Sequence, residues 1–166
     1  MKLDIRWGYN NVQIHPNDIK KTTFKTPLGL FESLVMTFGL CNAPATFQTF
    51  MDTQLANIIA TGHVVIYLDD ILIFAETLWE LTQLTHRVLQ RIQDQDLFLR
   101  PAKCSFNQTS VEYLGLIISE GEIRMDLVKL KAIQDWPLPR MVKDVQKFLR
   151  FCNFYRRFVK DYSHIA

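Results

Sequence analysis

A chain of 166 residues, 48% hydrophobic and 22% charged, holds enough apolar side chains for one medium domain, or one domain with a small appendage, and its composition excludes global disorder. Cys41, Cys104 and Cys152 are far apart and odd in number, with no CxxC or Cys/His cluster, which excludes a disulfide framework and a structural zinc site and suits a reducing compartment. Net charge is +2 but uneven: residues 1–122 carry nine Lys/Arg against thirteen Asp/Glu, a net of −4, and residues 123–166 carry ten against four, a net of +6, so a polyanion partner is expected for the C-terminal end, with a solvated basic face as the plainer reading.

Lys2 to Ile5 reads as a short apolar strand. Thr22–Thr26 and Leu30–Met36 flank Pro27-Leu28-Gly29 and predict a hairpin. Asn42 is placed to cap a helix with Pro44 in its first turn, and Phe47, Phe50, Met51, Leu55 and Ile58 recur at helical spacing up to Gly62. Val64–Tyr67 and Ile71–Ala75 are β-rich runs joined by Leu68-Asp69-Asp70, a second hairpin. Thr77 with Glu80 makes a capping box for a long helix with a stripe of Leu78, Leu81, Leu84, Val88, Leu89 and Ile92. Val111–Ser119 reads as one strand with Gly121 at a turn, Asp126 caps a helix that Pro137 stops, and the last helix runs from Arg140 to about Val159, basic on one side and Phe-rich on the other. Antiparallel hairpins without βαβ alternation predict an α+β fold, with the last two helices as a separable subdomain. The chain shows no signal-peptide pattern and no apolar run long enough to span a bilayer, so no membrane partner is expected; its strongest apolar stretch, Val64 to Ala75, is interrupted by two aspartates.

Those aspartates, Asp69 and Asp70, sit at a tight turn between apolar strands. Adjacent carboxylates repel each other and are costly to desolvate, yet Asp also suits turns, and the dipeptide alone leaves both readings open. Asp4 ends another apolar strand. If the two elements are sheet neighbours, three carboxylates meet at one edge, and hard oxygen donors of that kind select Mg²⁺ or Mn²⁺. Two such ions about 3.5–4 Å apart clamp the attacking and leaving oxygens of an in-line phosphoryl transfer.

From Tyr67-Leu68-Asp69-Asp70 outward, the sequence resembles the reverse transcriptases of gypsy-like long-terminal-repeat retrotransposons. Leu3-Asp4-Ile5-Arg6-Trp7-Gly8-Tyr9 resembles their first catalytic motif, Lys21-Thr22-Thr23-Phe24 their finger hairpin, and residues 38–48, FGLCNAPATFQ, their nucleotide-pocket motif. Pro101-Ala102-Lys103-Cys104-Ser105-Phe106, Val111-Glu112-Tyr113-Leu114-Gly115 and Asn153-Phe154-Tyr155-Arg156-Arg157-Phe158 follow in family order, so the resemblance spans essentially the whole chain. It implies a right-hand polymerase: residues 1–11 and 43–122 as palm, 12–42 as the inner fingers hairpin, and 123–166 as the start of the thumb.

The resemblance further implies RNA-directed DNA polymerase activity. Asp4, Asp69 and Asp70 become catalytic metal ligands for two Mg²⁺ (or Mn²⁺) ions, with the Ile5 carbonyl as a backbone ligand. Ile5, Arg6, Trp7, Gly8, Tyr9, Phe38 and Gly39 would bind the deoxynucleoside triphosphate, Tyr9 as the gate against a 2′-hydroxyl and Gly8 allowing close approach. Tyr67, Tyr113, Leu114 and Gly115, with Lys147, Arg150, Arg156 and Arg157, would contact an RNA template with its DNA primer, or DNA, the Tyr113–Gly115 stretch where the family grips the primer and the basic residues through sequence-independent phosphate contacts. RNase H and integrase are the expected polyprotein neighbours, and copying is expected in cytoplasmic virus-like particles, with delivery to the nucleus. Trp7, Asn11, Thr37 and Arg150 depart from the family pattern, and the outer fingers and remaining thumb fall outside this stretch, which reads as an excised fragment or relic copy whose exposed sheet edges invite dimerisation. A catalytically idle nucleic-acid-binding domain is the alternative. An RNA-copying RNA polymerase is disfavoured by Tyr9.

Overall fold

The computed structural model describes residues 1–165. The chain divides into two compact units, Met1–Gln108 and the residues from Thr109 on.

The first unit is built on a three-stranded antiparallel sheet of β1 (Lys2–Asp4), β4 (Val64–Tyr67) and β5 (Asp70–Ile73), in the order β1-β5-β4. Between β1 and β4 come two 3₁₀ segments, Gly8–Asn11 and Pro16–Thr22, the hairpin of β2 (Phe24–Thr26) and β3 (Gly29–Phe31), and helix α1 (Ala43–Ile59). Helix α2 (Leu78–Asp94) and a 3₁₀ turn, Pro101–Lys103, follow the sheet. Side chains alternate across a strand, so one register settles both faces. Leu3 pairs with Ile71, Ile71 with Ile66 and Ile73 with Val64, and all five are buried together with Phe47, Met51, Leu55 and Ile58 of α1 and Leu84, Val88 and Ile92 of α2. Full burial of each such side chain is worth about 1.5–3 kcal/mol, which makes this the stabilising face. The alternate residues, Lys2, Asp4, Asp70 and Tyr67, share the other face.

The expected helices stand. α1 carries Pro44 in its first turn; Asn42 occupies the cap position without a side-chain hydrogen bond. Thr77 Oγ1 accepts the Glu80 N–H at 3.2 Å, the Thr half of the expected capping box. The first hairpin is shorter than expected: β3 ends at Phe31, and the chain then pairs with the segment after the first 3₁₀ turn, the Ile14 N–H donating to the Leu34 carbonyl and the Met36 N–H to the Val12 carbonyl. β5 starts at Asp70 and ends at Ile73, so Leu68 and Asp69 alone make the turn.

The second unit opens with an antiparallel meander of β6 (Ser110–Tyr113), β7 (Leu116–Ser119) and β8 (Glu122–Met125). The single strand expected over Val111–Ser119 is therefore two strands. Tyr113 pairs with Leu116 across a turn of Leu114 (φ 51°) and Gly115 (φ 77°), and two successive positive φ values are the signature of a tight I′ hairpin. Leu114 carries no turn chemistry, so only Gly115 signalled it.

Helix α3 (Leu127–Gln134) is capped by Asp126, which accepts the Val128 N–H at 3.0 Å. Helix α4 spans Val142–Phe154, shorter than expected; Tyr155 leaves helical geometry and buries its ring against Phe151 and Phe154, and a 3₁₀ turn, Arg156–Phe158, and α5 (Tyr162–Ile165) follow. The Phe-rich face of α4 packs on the segment that follows α3: Trp136 lies 5.6 Å from Phe148 and 5.3 Å from Phe151, ring centre to ring centre. Among the described residues no helix is long and apolar enough to cross a membrane.

Candidate active site

The β1–β5 register places Asp4 directly opposite Asp70, and the β4–β5 register places Tyr67 opposite Asp70 on the other side. Directly opposed residues point to one face with Cβ atoms about 4.5–5.5 Å apart, so the two carboxylates are neighbours. Asp69 lies in the adjoining turn; its carbonyl accepts the Ile5 N–H at 2.8 Å, which ties the residue after Asp4 to the turn. All three predicted carboxylates are thereby brought to one end of one sheet. Leu68 enters the turn in the left-handed region, φ 53°, a conformation that costs a non-glycine residue about 1–2 kcal/mol.

Asp4 is 5% exposed and its Oδ1 accepts no hydrogen bond. Its cationic neighbours are Arg100, Nε 3.7 Å from Oδ1, and Lys103, Nζ 3.8 Å from Oδ2. They arrive because residues 98–105 run along the outer edge of β1: the Arg6 N–H donates to the Phe98 carbonyl, the Arg100 N–H to the Asp4 carbonyl, and Lys2 and Ser105 exchange two bonds of 2.8 Å. Burial pushes the Asp4 carboxyl above its ordinary value; Lys103 and Arg100 oppose that, and Asp69 and Asp70 add to it. Lys2 Nζ lies 3.0 Å from Asp70 Oδ1, both half-buried. These three cations were not assigned at this site from the sequence, although the motif Pro101–Phe106 carries Lys103.

The donor set suits a divalent ion in kind: hard oxygens, one of them buried without a hydrogen bond. The side chains do not already form a cage, since among the described residues no three His, Cys, Asp or Glu side chains converge closely enough to hold an ion.

The predicted nucleotide residues cluster beside the carboxylates. Tyr9 makes edge-on contacts with Phe38 at 5.2 Å and Phe47 at 5.6 Å. Phe38 is itself largely exposed, and Gly39 beside it has φ 98°. Gly8 is required by packing: a Cβ there would stand 2.9 Å from the Phe47 ring and 3.5 Å from the Asp69 Cβ. Trp7 turns outward, 61% exposed with φ 55°, and the Arg6 guanidinium stacks 4.1 Å above its ring. Ile5 has its side chain in the core, and its N–H is held by the Asp69 carbonyl.

Sequence reasoning also left Gln48 without a role. Its Oε1 accepts the Leu68 N–H at 2.8 Å and its Nε2 donates to the Ile66 carbonyl at 3.2 Å and to Asp52 at 2.8 Å. The available signal was position: a polar residue directly after buried Phe47, at the margin of the apolar stripe of α1.

The remaining predicted residues divide between the units. Tyr67 is exposed on the carboxylate face. In the second unit Tyr113 is buried, so the Leu114–Gly115 turn is the part of that trio at the surface. Lys147 and Arg150 are exposed on one side of α4, one turn apart. Arg156 donates to Ser163 Oγ at 3.0 Å and lies over Tyr162, and Arg157 lies over Phe158.

The family model for reverse transcriptase (RNA-dependent DNA polymerase) matches residues 1–118. The chain is 36% identical over 164 residues to the retrovirus-related Pol polyprotein from transposon 297 of Drosophila melanogaster, covering 99% of this chain and 15% of the polyprotein. It is 34% identical over 165 residues to the transposon Tf2-3 polyprotein of Schizosaccharomyces pombe, covering 99% of this chain and 12% of that protein. It thus spans less than a sixth of the length of these retrotransposon polyproteins. Among solved structures, it is similar to the foamy viral protease-reverse transcriptase in complex with double-stranded DNA, with a TM-score of 0.90 and 24% identity over 99% of this chain and 28% of that one. The same viral enzyme in complex with an RNA/DNA hybrid matches with a TM-score of 0.84 and 23% identity over 93% and 21%. At such identity the likeness speaks for the fold, an α+β polymerase palm. With the family model covering most of its length and the Asp4–Asp69–Asp70 cluster lying within the match, the chain belongs to the reverse transcriptase (RNA-dependent DNA polymerase) family.

Proposed function

We propose that this chain adds deoxynucleotides to a DNA primer on an RNA template, and that Asp4, Asp69 and Asp70, with the Ile5 carbonyl, hold two Mg²⁺ (or Mn²⁺) ions for that reaction. The observation that carries the reading is the register that sets Asp4 against Asp70, with Asp69 in the adjoining turn, on the sheet face turned away from the core. Ions bound there would polarise the primer hydroxyl and offset charge on the triphosphate. The protein's own task is to present unprotonated oxygens in a fixed frame. The 2.8 Å bond from the Ile5 N–H to the Asp69 carbonyl supplies the frame, and Arg100 and Lys103 favour the ionised form of Asp4.

Tyr9, held edge-on between Phe38 and Phe47, offers a flat floor that a deoxyribose can occupy and a 2′-hydroxyl would crowd. The N–H groups of Trp7 and Gly8 face the triphosphate in this reading. Tyr67, the Tyr113–Gly115 segment, Lys147, Arg150, Arg156 and Arg157 take the template–primer. Residues 1–11 and 43–122 form the palm, 12–42 the inner fingers and 123–166 the start of the thumb, with RNase H and integrase as polyprotein neighbours and cytoplasmic particles as the place of copying.

Primer extension on an RNA template with a DNA primer, in Mg²⁺ and separately in Mn²⁺, against Asp69→Asn, tests the reading. Extension by the parent and none by the variant is expected. No extension by either, with template–primer still bound, would replace it with the idle binding module, a reading favoured by the Lys2–Asp70 pair.

A further inference from the structure

Gln48 joins two parts of the candidate site that are distant in sequence. It sits in the second turn of α1, directly after Phe47, whose ring packs under Gly8 and against Tyr9. Its own side chain reaches the opposite part, the turn that carries Asp69. Oε1 accepts the Leu68 N–H at 2.8 Å, and Nε2 donates to the Ile66 carbonyl at 3.2 Å. The two backbone partners settle which amide atom is which, because an N–H requires the oxygen and a carbonyl requires the nitrogen. Asp52, one helical turn on, accepts the second Nε2 proton at 2.8 Å and fixes the amide plane.

Leu68 has φ 53°, a conformation that a leucine does not hold without support. The same helical turn therefore positions Gly8 and Tyr9 through Phe47 and the Asp69 turn through Gln48. From this geometry we infer that Gln48 is a positioning residue for the carboxylate turn, with Asp52 orienting its amide. This rests on the polymerase reading above. Gln48 touches neither nucleotide nor ion; it acts by holding Leu68, and so the next residue, Asp69, in the frame set by α1.

The test uses the full chain and two variants, Gln48→Met, which keeps the shape and removes every hydrogen bond, and Gln48→Glu/Asp52→Asn. The double variant restores an acceptor for Leu68 and exchanges donor and acceptor between positions 48 and 52. Hydrogen–deuterium exchange of the Leu68 amide reports the turn directly, and single-turnover primer extension reports its consequence. In Gln48→Met the Leu68 amide should exchange about tenfold faster. Nucleotide addition should slow about a hundredfold, as expected for a misplaced reacting group, with the deoxynucleotide KM changed less than about threefold. The double variant should recover Leu68 protection and at least about tenfold of the lost rate.

Unchanged Leu68 exchange or unchanged rate in Gln48→Met would overturn the inference, as would a double variant that protects Leu68 yet stays as slow as Gln48→Met. Should Gln48→Met fail to fold by circular dichroism, Gln48→Glu alone replaces it: its glutamate faces Asp52, so a rate equal to that of the double variant overturns the inference. A parent chain that extends no primer overturns the polymerase reading instead, and the amide exchange then decides by itself whether Gln48 holds the turn.

Discussion

On the proposed reading, Asp4 sets stability against chemistry. A 5%-exposed carboxylate with an unbonded oxygen is costly to desolvate, and Arg100 and Lys103, at 3.7 and 3.8 Å, are too distant for strong charge-assisted bonds. Asp4→Asn removes that cost while leaving two cations that can turn to water. In chelator, urea unfolding should show the variant more stable than the parent by about 0.5–2 kcal/mol, while primer extension is lost. A less stable variant would mean that Arg100 and Lys103 contribute more than burial costs. Asp4 and the Asp69-Asp70 pair stood out in the sequence because Asp4 ends an apolar strand, the pair joins two others, and all three lie in motifs that resemble a reverse transcriptase. Arg100, Lys103, Lys2 and Gln48 did not, because ordinary polar residues gain a role only from the neighbour that the fold supplies.

At the level of elements, the helices and the hairpins around Pro27–Gly29, Leu68–Asp70 and Gly121 were legible, and the turn between β6 and β7 was not. Apolar residues at a 3.6 spacing specify a helix from local sequence, as α1 and α2 illustrate, α2 with Thr77 as a cap at its start. The hairpin between β6 and β7 escaped because its first turn residue, Leu114, has no turn preference. Its φ of 51° makes it a strained position, so Leu114→Asn, which creates the favoured Asn-Gly pair, should stabilise the second unit by about 1 kcal/mol, measured by thermal unfolding followed through Trp136 fluorescence. The turn that ends α4 buries the Tyr155 phenol, and burial, with Asp126 and Glu112 nearby, raises its pKa above the ordinary value of 10.0. A raised pKa means the fold favours the neutral phenol. That stability is full below pH 10 and is lost as pH rises through the folded value. Alkaline unfolding of the parent should therefore begin above pH 10, and Tyr155→Phe should move its midpoint upward in circular dichroism. A midpoint unchanged by the substitution would remove Tyr155 as the responsible group.

For the whole molecule, charge is segregated along the chain, and the cations after residue 122 are mostly exposed. Lys147 and Arg150 occupy neighbouring turns on one side of α4, the spacing needed to track successive phosphates. Fluorescence anisotropy with a labelled template–primer should show the slope of log affinity against log salt falling by about 1 for Lys147→Gln and again for Arg150→Gln, with no dependence on base sequence. An unchanged slope would mark this as a solvated face. The family, the α+β class, the three candidate carboxylates and the basic charge of the C-terminal end were all legible in the sequence, since each rests on local pattern, residue chemistry or motif order. Tertiary structure alone decided that β1 lies beside β5, which sets Asp4 opposite Asp70, brings residues 98–105 against Asp4, and gives Gln48 the Leu68 amide to hold. Those contacts join residues 20 or more positions apart, and no local propensity encodes a strand register or a neighbour across a sheet.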